Sequence, residues 1–547
     1  MNKGMISKKT VEHNAQGVLL LDHYDEMAEM LKTSFRTAGF QGPVIALEDD
    51  GFLPEDVLSL VQWFCRDSAE LDESVTEKGS GSEPVIRAGA KIESELVIRS
   101  GSEIESETVI RSGSEIGTES DVEPGSDIKP RLRVESPEYR VSHAGWTPGK
   151  PRYFDQIELP DYWEISGSAA SGEVHDLHKL RGRIFYHAKS GDRQVSDVDW
   201  LNEQGIARCT DHYDRHGLLY ARTIFNKKGE KFCRSWFDDR GRERVVENYV
   251  TRDILVNRNG KVSLYRNRTE LATAMIRELG AAGSRMYYNS LSTPLFVTEK
   301  LKAPKADNVL FWQEGSRDDI PGNMQLILDG DTYTSEILVQ NRESCEKLIS
   351  LGASAEKVHP FGFVYPFCRQ NTGGKDVLIC TNSDQIKELD KLVTAFPEMT
   401  FHIAAVTEMS SRLLAFGKYT NVFLYPTVRN SAVDDLYQKC DWYLDINHGS
   451  EILTSVKRAF LNNQLILGFA ETLHRPRYVA PAHIFDRAEE LCRCMRKLAA
   501  DPQLFREHLE MQKTAAMSEK KESYGKLWER PVGGMNHKSD KNDIILS

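Results

Sequence analysis

A carboxylate, an amide and an imidazole fall within four residues in Asp445-Ile446-Asn447-His448, directly after the apolar run Trp442-Tyr443-Leu444, with Glu451 close behind. A short apolar run of this kind reads as a strand, so the polar set sits at a strand end of an α/β lobe. Two readings stand: a catalytic cluster, or a hydrogen-bonded histidine that only shapes its loop. Metal chemistry has no candidate set, because His, Cys, Asp and Glu nowhere recur at ligand spacing. The loop after the first apolar run, Asp22-His23-Tyr24-Asp25-Glu26, is acidic and lacks the glycines that let a backbone cradle a diphosphate. Trp163, Trp236 and Tyr220 offer flat faces for sugar or peptide, although packing of a sheet is the competing use. The pair Asp238-Asp239 lies in a turn motif and reads as turn chemistry.

The elements that must position these residues are legible from periodicity. Val18–Leu21, an amphipathic segment through Met27, Leu31 and Phe35, Gly39, and Pro43–Leu47 form a β-α-β start. Residues 68–148 change character: aliphatic side chains recur every six positions, at Ile86, Ile92, Ile98, Ile104, Ile110, Ile116, Val122 and Ile128. That pattern resembles the hexapeptide repeat of left-handed parallel β-helices. A duplicated, partly ordered insertion rich in Ser, Glu and Gly fits it equally well. Turn motifs ending in Gly205, Gly217, Gly229 and Gly241 then recur every twelve residues, with a fifth ending at Gly260, and predict an antiparallel meander. Helical and strand patterns return from Thr269 and complete a first α/β lobe, and a second follows with strands at Val377, Thr400, Val422, Trp442 and Gln464. The expected division is a first Rossmann-like lobe at 1–67 and 269–368, the repeat insertion at 68–148 and the meander at 149–268. A second Rossmann-like lobe occupies 369–516 and a polar tail, 517–547, that frays.

Composition narrows the function. The chain has 547 residues and a net charge of −12, which argues against generic attraction to nucleic acid or anionic lipid. Its start is polar, and Val18–Leu21 is too short for a signal sequence or a membrane span. Nine scattered cysteines without a Cys-x-x-Cys pattern read as reduced thiols, so a cytoplasmic location is expected.

The segments Glu48-Asp-Asp-Gly-Phe-Leu-Pro-Glu55, Tyr162-Trp-Glu-Ile-Ser-Gly167, Tyr288-Asn-Ser-Leu-Ser-Thr-Pro294, Phe311-Trp-Gln-Glu314, Ile320-Pro-Gly-Asn-Met-Gln325 and Asp445-Ile-Asn-His-Gly449 together resemble the stabilising subunits of the peptide N-acetylglucosaminyltransferases of accessory Sec systems. The resemblance covers nearly the whole chain outside 68–148. It implies a GT-B architecture of two Rossmann-like lobes with an inserted β-meander, and a related catalytic subunit as partner. It also implies transfer of N-acetylglucosamine from its UDP donor to Ser and Thr of a Ser-rich repeat adhesin in a Gram-positive bacterium. Peripheral contact with the inner face of the cell membrane near the export channel is implied too, although no amphipathic or polybasic anchor stands out.

Within that class, catalysis needs cations for the charge that grows on the departing diphosphate. The usual Arg, followed five residues later by Lys, is here Asn382 and Lys387. An amide does not replace a bidentate permanent cation. The usual Glu-x7-Glu aligns with Ser450 and Arg458; Glu451 lies one residue off register, and its partner eight residues on is Ala459. The expected function is therefore a non-catalytic, acceptor-binding and stabilising subunit without a cofactor. Asn447, His448, Glu451 and Trp163 are the candidates for contact with acceptor or glycan. A self-sufficient retaining glycosyltransferase is the first alternative. A hexapeptide-type acyltransferase is the second, disfavoured because residues 80–130 contain no His.

Overall fold

Short apolar runs separated by amphipathic helices force parallel pairing, since each helix carries the chain back to the edge where the next strand starts. The computed structural model describes residues 16–66, 147, 149–188, 193–302 and 307–530. They fall into two compact units, one made of the described residues within 50–52 and 64–265 and the other of those within 1–49, 53–63 and 266–547. The six-residue repeat, with the solenoid expected from it, lies outside the described residues, which include only Thr147 of the insertion 68–148.

The larger unit holds two parallel sheets. In the first, β1 (Val18–Leu21), β2 (Val44–Ala46) and β3 (Leu58–Ser59) are joined by β14 (Met286–Tyr288), β15 (Asn308–Trp312), β16 (Thr334–Val339) and β17 (Val358–Pro360). Their order is β17-β16-β15-β14-β1-β2-β3. In the second, β18 (Asp376–Thr381), β19 (Thr400–Ala405), β20 (Val422–Tyr425), β21 (Trp442–Asp445), β22 (Leu465–Phe469) and β23 (Ile484–Phe485) take the order β20-β19-β18-β21-β22-β23. Each order reverses direction once, between β1 and β14 and between β18 and β21. In open α/β sheets the crevice for ligands opens beyond the carboxyl ends of the strands at such a point.

The helix Glu26–Thr37 shows how sequence makes these elements. Asp25 caps it by accepting from the Ala28 N–H at 2.8 Å, Glu26 and Glu29 face its positive end, and Arg36 its negative end. Its buried stripe of Ala28, Met30, Leu31 and Phe35 joins a core that also holds Tyr443, Phe460 and Tyr478 of the second sheet's layer, so the two parallel sheets share apolar packing. The expectation that the chain frays beyond about Met517 is corrected. Lys521–Glu529 is a helix, and its fully buried Tyr524 packs edge-on against Phe35 at 5.4 Å and donates to the Gly362 carbonyl at 2.8 Å.

The smaller unit is a ten-stranded antiparallel meander, β4 (Trp163–Gly167), β5 (Ser171–Asp176), β6 (Lys179–Tyr186), β7 (Val195–Leu201), β8 (Ala207–Tyr213), β9 (Leu219–Phe225), β10 (Lys231–Phe237), β11 (Glu243–Asn248), β12 (Ile254–Arg258) and β13 (Lys261–Tyr265), paired in chain order. One turn chemistry repeats along it. Asp214 Oδ1 accepts from the N–H groups of His216 and Leu218, and Asp238 Oδ1 from those of Arg240 and Arg242. The closing glycines Gly217 and Gly241 have φ of 74° and 73°, a region that side chains with a Cβ avoid. Tyr220 and Trp236 are buried in the sheet, so packing claims both rings.

Candidate functional site

The end of β21 lies beside the end of β18, at the reversal of the second sheet. Leu378 pairs with Tyr443, and the following residues of both strands run out toward the same edge. Asn447 is buried there. Its Oδ1 accepts from the Thr381 hydroxyl at 2.8 Å and the Ser383 hydroxyl at 3.1 Å, and its Nδ2 donates to Asn382 Oδ1 at 3.5 Å. Gly449 is pressed so close that a Cβ built on it would stand 2.0 Å from Asn382 Oδ1. His448 is exposed; its backbone N–H donates to the Gln385 carbonyl at 3.0 Å, and its Nε2 lies 3.7 Å from Glu471.

The charged groups expected to bear on a sugar nucleotide are committed elsewhere. Lys387 lies 2.8 Å from Glu471 with its ammonium over the Phe469 ring at 4.5 Å. Contact with Lys387 holds the Glu471 carboxyl below its ordinary range. Arg458 lies over the Tyr437 ring at 4.4 Å and is paired with Asp434. Glu451 accepts from the Val456 N–H at 3.0 Å and from Arg475 Nε at 2.6 Å. At the two positions where the class pattern puts its cations, a diphosphate would meet an amide at 382 and, at 387, a lysine already paired with Glu471.

A histidine that sequence reasoning did not single out holds the loop. His474 donates through Nδ1 to Asp445 at 2.5 Å and through Nε2 to the Gly449 carbonyl at 2.7 Å. The Asp445 hydrogen bond outweighs burial and raises its pKa to about 9, so the ring is a cation at neutral pH.

The candidates do not all meet. Asn447, His448 and Glu451 come together in the loop after β21, whereas Trp163 is on β4 in the meander unit, half-buried with the Arg181 guanidinium over its ring at 5.8 Å.

Sequence reasoning also missed the amides of the first sheet. Asn289 follows β14 and accepts the Asp22 N–H at 2.9 Å; Gln313 follows β15 and accepts from Asn289 at 3.0 Å; Gln340 follows β16 and accepts from Gln313 at 2.7 Å. The signal was present, since each apolar strand is followed at once by Asn or Gln, as is β18 by Asn382. Among the described residues no three His, Cys, Asp or Glu side chains gather as a metal site, and no helix is long and apolar enough to cross a membrane.

Known proteins give this geometry its context. Family profiles described as the GtfB N-terminal, middle and third domains match residues 18–64, 163–266 and 268–351, and one described as the GtfB/GlyA-F C-terminal domain matches 377–512. A Streptococcus agalactiae protein named as the UDP-N-acetylglucosamine–peptide N-acetylglucosaminyltransferase stabilizing protein GtfB is 32% identical over 93% of this chain and 98% of its own length. The Streptococcus pneumoniae serotype 4 protein of the same name is 40% identical over 63% of this chain and 79% of its own. A chain in a crystal structure of a GtfA/B complex bound to UDP and GlcNAc superposes with a TM-score of 0.73 at 30% identity, covering 93% of this chain and 98% of that one. A strand-end site without a donor clamp, on a chain aligned almost from end to end with these proteins, places the chain in the GtfB family of glycosyltransferase-stabilizing proteins.

Proposed function

We propose that this chain is the non-catalytic, stabilising subunit of a peptide N-acetylglucosaminyltransferase, and that it presents a Ser/Thr-rich polypeptide to a GtfA-like catalytic partner. One observation carries the reading: Asn382, Lys387 and Arg458, at the positions where a sugar-nucleotide enzyme keeps its charged groups, are all bound to neighbours within the chain.

Several side chains at the strand ends are neutral and hydrogen-bonding. Asn289, Gln313 and Gln340 finish strands of one parallel sheet, and Asn382, Ser383 and Asn447 those of the other. Amides and hydroxyls suit an uncharged acceptor rich in hydroxyl and peptide groups better than they suit a diphosphate. The two parallel sheets, with their matched strand reversals, are read as the two Rossmann-like lobes of a GT-B architecture, and residues 149–268 as its inserted meander. In this reading the exposed Asn382 and His448 touch acceptor, Asn447 supports them from behind and Glu451 borders them, while Trp163 is a separate contact for glycan or peptide on the meander unit. A disordered Ser-rich chain binds weakly per unit of surface, so a second subunit raises the local concentration of hydroxyls at the partner's active site. The acceptor is a Ser-rich repeat adhesin, modified on the cytoplasmic side before accessory Sec export, with peripheral contact at the inner membrane face.

The test mixes purified chain, UDP-N-acetylglucosamine and a Ser-rich peptide with and without the catalytic partner. Turnover is expected only with the partner, and Asn382→Ala or His448→Ala should raise the acceptor KM roughly tenfold, the cost of about 1.4 kcal/mol of lost hydrogen bonding. Sugar transfer by this chain alone overturns the assignment.

A further inference from the structure

The segment after β22 makes contacts that neither packing of its own sheet nor the proposed acceptor site requires. Adjacent residues His474 and Arg475 point into two different sets of partners. His474 binds the Asp445 carboxylate at the end of β21 and the Gly449 carbonyl beyond it, and its own N–H donates to Asp445 Oδ2 at 2.8 Å. Arg475 donates Nε to Glu451 at 2.6 Å, and Nη1 to both oxygens of Glu26 at 2.8 and 2.9 Å. Glu26 opens the helix Glu26–Thr37 that covers the first parallel sheet, and Lys457 lies 3.2 Å from the same carboxylate. Burial would raise the Glu26 pKa, but Arg475 and Lys457 outweigh it and hold the group ionised.

Just beyond the points these two side chains grip, the backbone is held in an unfavourable conformation. Leu453 and Thr454 both take left-handed conformations, with φ of 51° and 50°, which β-branched and bulky residues avoid unless their surroundings fix them. Thr454, at the start of the helix Ser455–Leu461, makes no side-chain cap, and the Val456 N–H in its first turn is met instead by Glu451, the residue that Arg475 holds.

We propose that His474 and Arg475 are positioning residues that fix the loop 445–454 and tie it through Glu26 to the first parallel sheet's layer, so that the acceptor contacts stand ready without a bound sugar nucleotide. The proposal rests on the acceptor reading of Asn382 and His448. Many enzymes that use a sugar or nucleotide at a strand reversal gain this order from the ligand; here an internal ion network supplies it permanently.

The test uses the full chain with its catalytic partner and the variants Glu26→Gln and His474→Gln, each first checked for an intact thermal transition. Hydrogen–deuterium exchange across 447–456 and the KM and kcat for a Ser-rich peptide are measured together. Glu26→Gln should speed exchange in that loop at least tenfold and raise the acceptor KM three- to tenfold with kcat little changed, and His474→Gln should do the same. Unchanged exchange in both variants overturns the clamp. Faster exchange with an unchanged KM overturns the positioning role. In that second case Asn382→Ala separates the two ideas: a raised KM leaves the acceptor reading standing, and an unchanged one removes it as well.

Discussion

Asn382 and Gly449 illustrate how much of the site is decided atom by atom. The amide occupies the space that any side chain at 449 would need. Gly449→Ala should destabilise the chain by about 1–3 kcal/mol through overpacking, and Asn382→Ala in the same chain should recover most of that loss in a double-mutant cycle followed by urea unfolding. His474 adds a pH signature. Its pKa is raised from 6.5 to about 9 in the folded chain, so its stabilisation is complete below pH 6.5 and is lost as pH rises through 9. At about 1.4 kcal/mol per unit, halved for solvent screening, the loss is roughly 2 kcal/mol, and His474→Gln should flatten the alkaline limb of stability against pH. The departures at 382 and 458 could be read only against the pattern of the glycosyltransferase class, as fixed offsets from Lys387 and Ala459. His474 and Arg475 were not legible: their partners Asp445, Glu451 and Glu26 are 24 to 449 residues away in sequence, and only the fold brings them together.

At the scale of elements, apolar runs bounded by polar turns specified the strands well. The run Trp442–Leu444 is fully buried, as a parallel strand covered on both faces must be. The helix Lys521–Glu529 escaped the same reasoning because Lys, Glu and Ser dominate it, and Tyr524, Leu527 and Trp528 make a stripe of only three anchors at helical spacing. Tyr524→Ala should cost about 3–5 kcal/mol, read from the denaturation midpoint, since it empties a fully buried ring site and removes the shorter of the two hydrogen bonds to the Gly362 carbonyl. The turn Pro481–His483 meets the helix Pro502–Ala515 through two histidines, His483 Nε2 lying 2.9 Å from His508 Nδ1 with the rings stacked. Burial, aided by His508, lowers the His483 pKa from 6.5 to about 3. Stability from this pair is present above pH 6.5 and falls away as pH drops toward 3, by roughly 2 kcal/mol at pH 5. Replacement by Phe should remove that acid sensitivity in thermal scans across pH.

For the whole molecule, loss of donor chemistry is distributed rather than confined to two positions. Restoring Asn382→Arg and Arg458→Glu together should leave UDP binding undetectable by calorimetry, because Glu471 still neutralises Lys387 and Arg475 still occupies Glu451. The meander was legible because its turn chemistry repeats at a fixed interval. The linkage between the parallel sheets was not, because it joins Phe35 to Phe460, Tyr478 and Tyr524, more than four hundred residues further along the chain. That closing helix has a consequence for synthesis. Phe35 leaves the ribosome nearly five hundred residues ahead of Tyr524, and at about 5–20 residues per second it waits roughly half a minute to a minute and a half for its cover. A nascent chain therefore leaves the face of Phe35 that Tyr524 covers without that partner until the helix Lys521–Glu529 has been made.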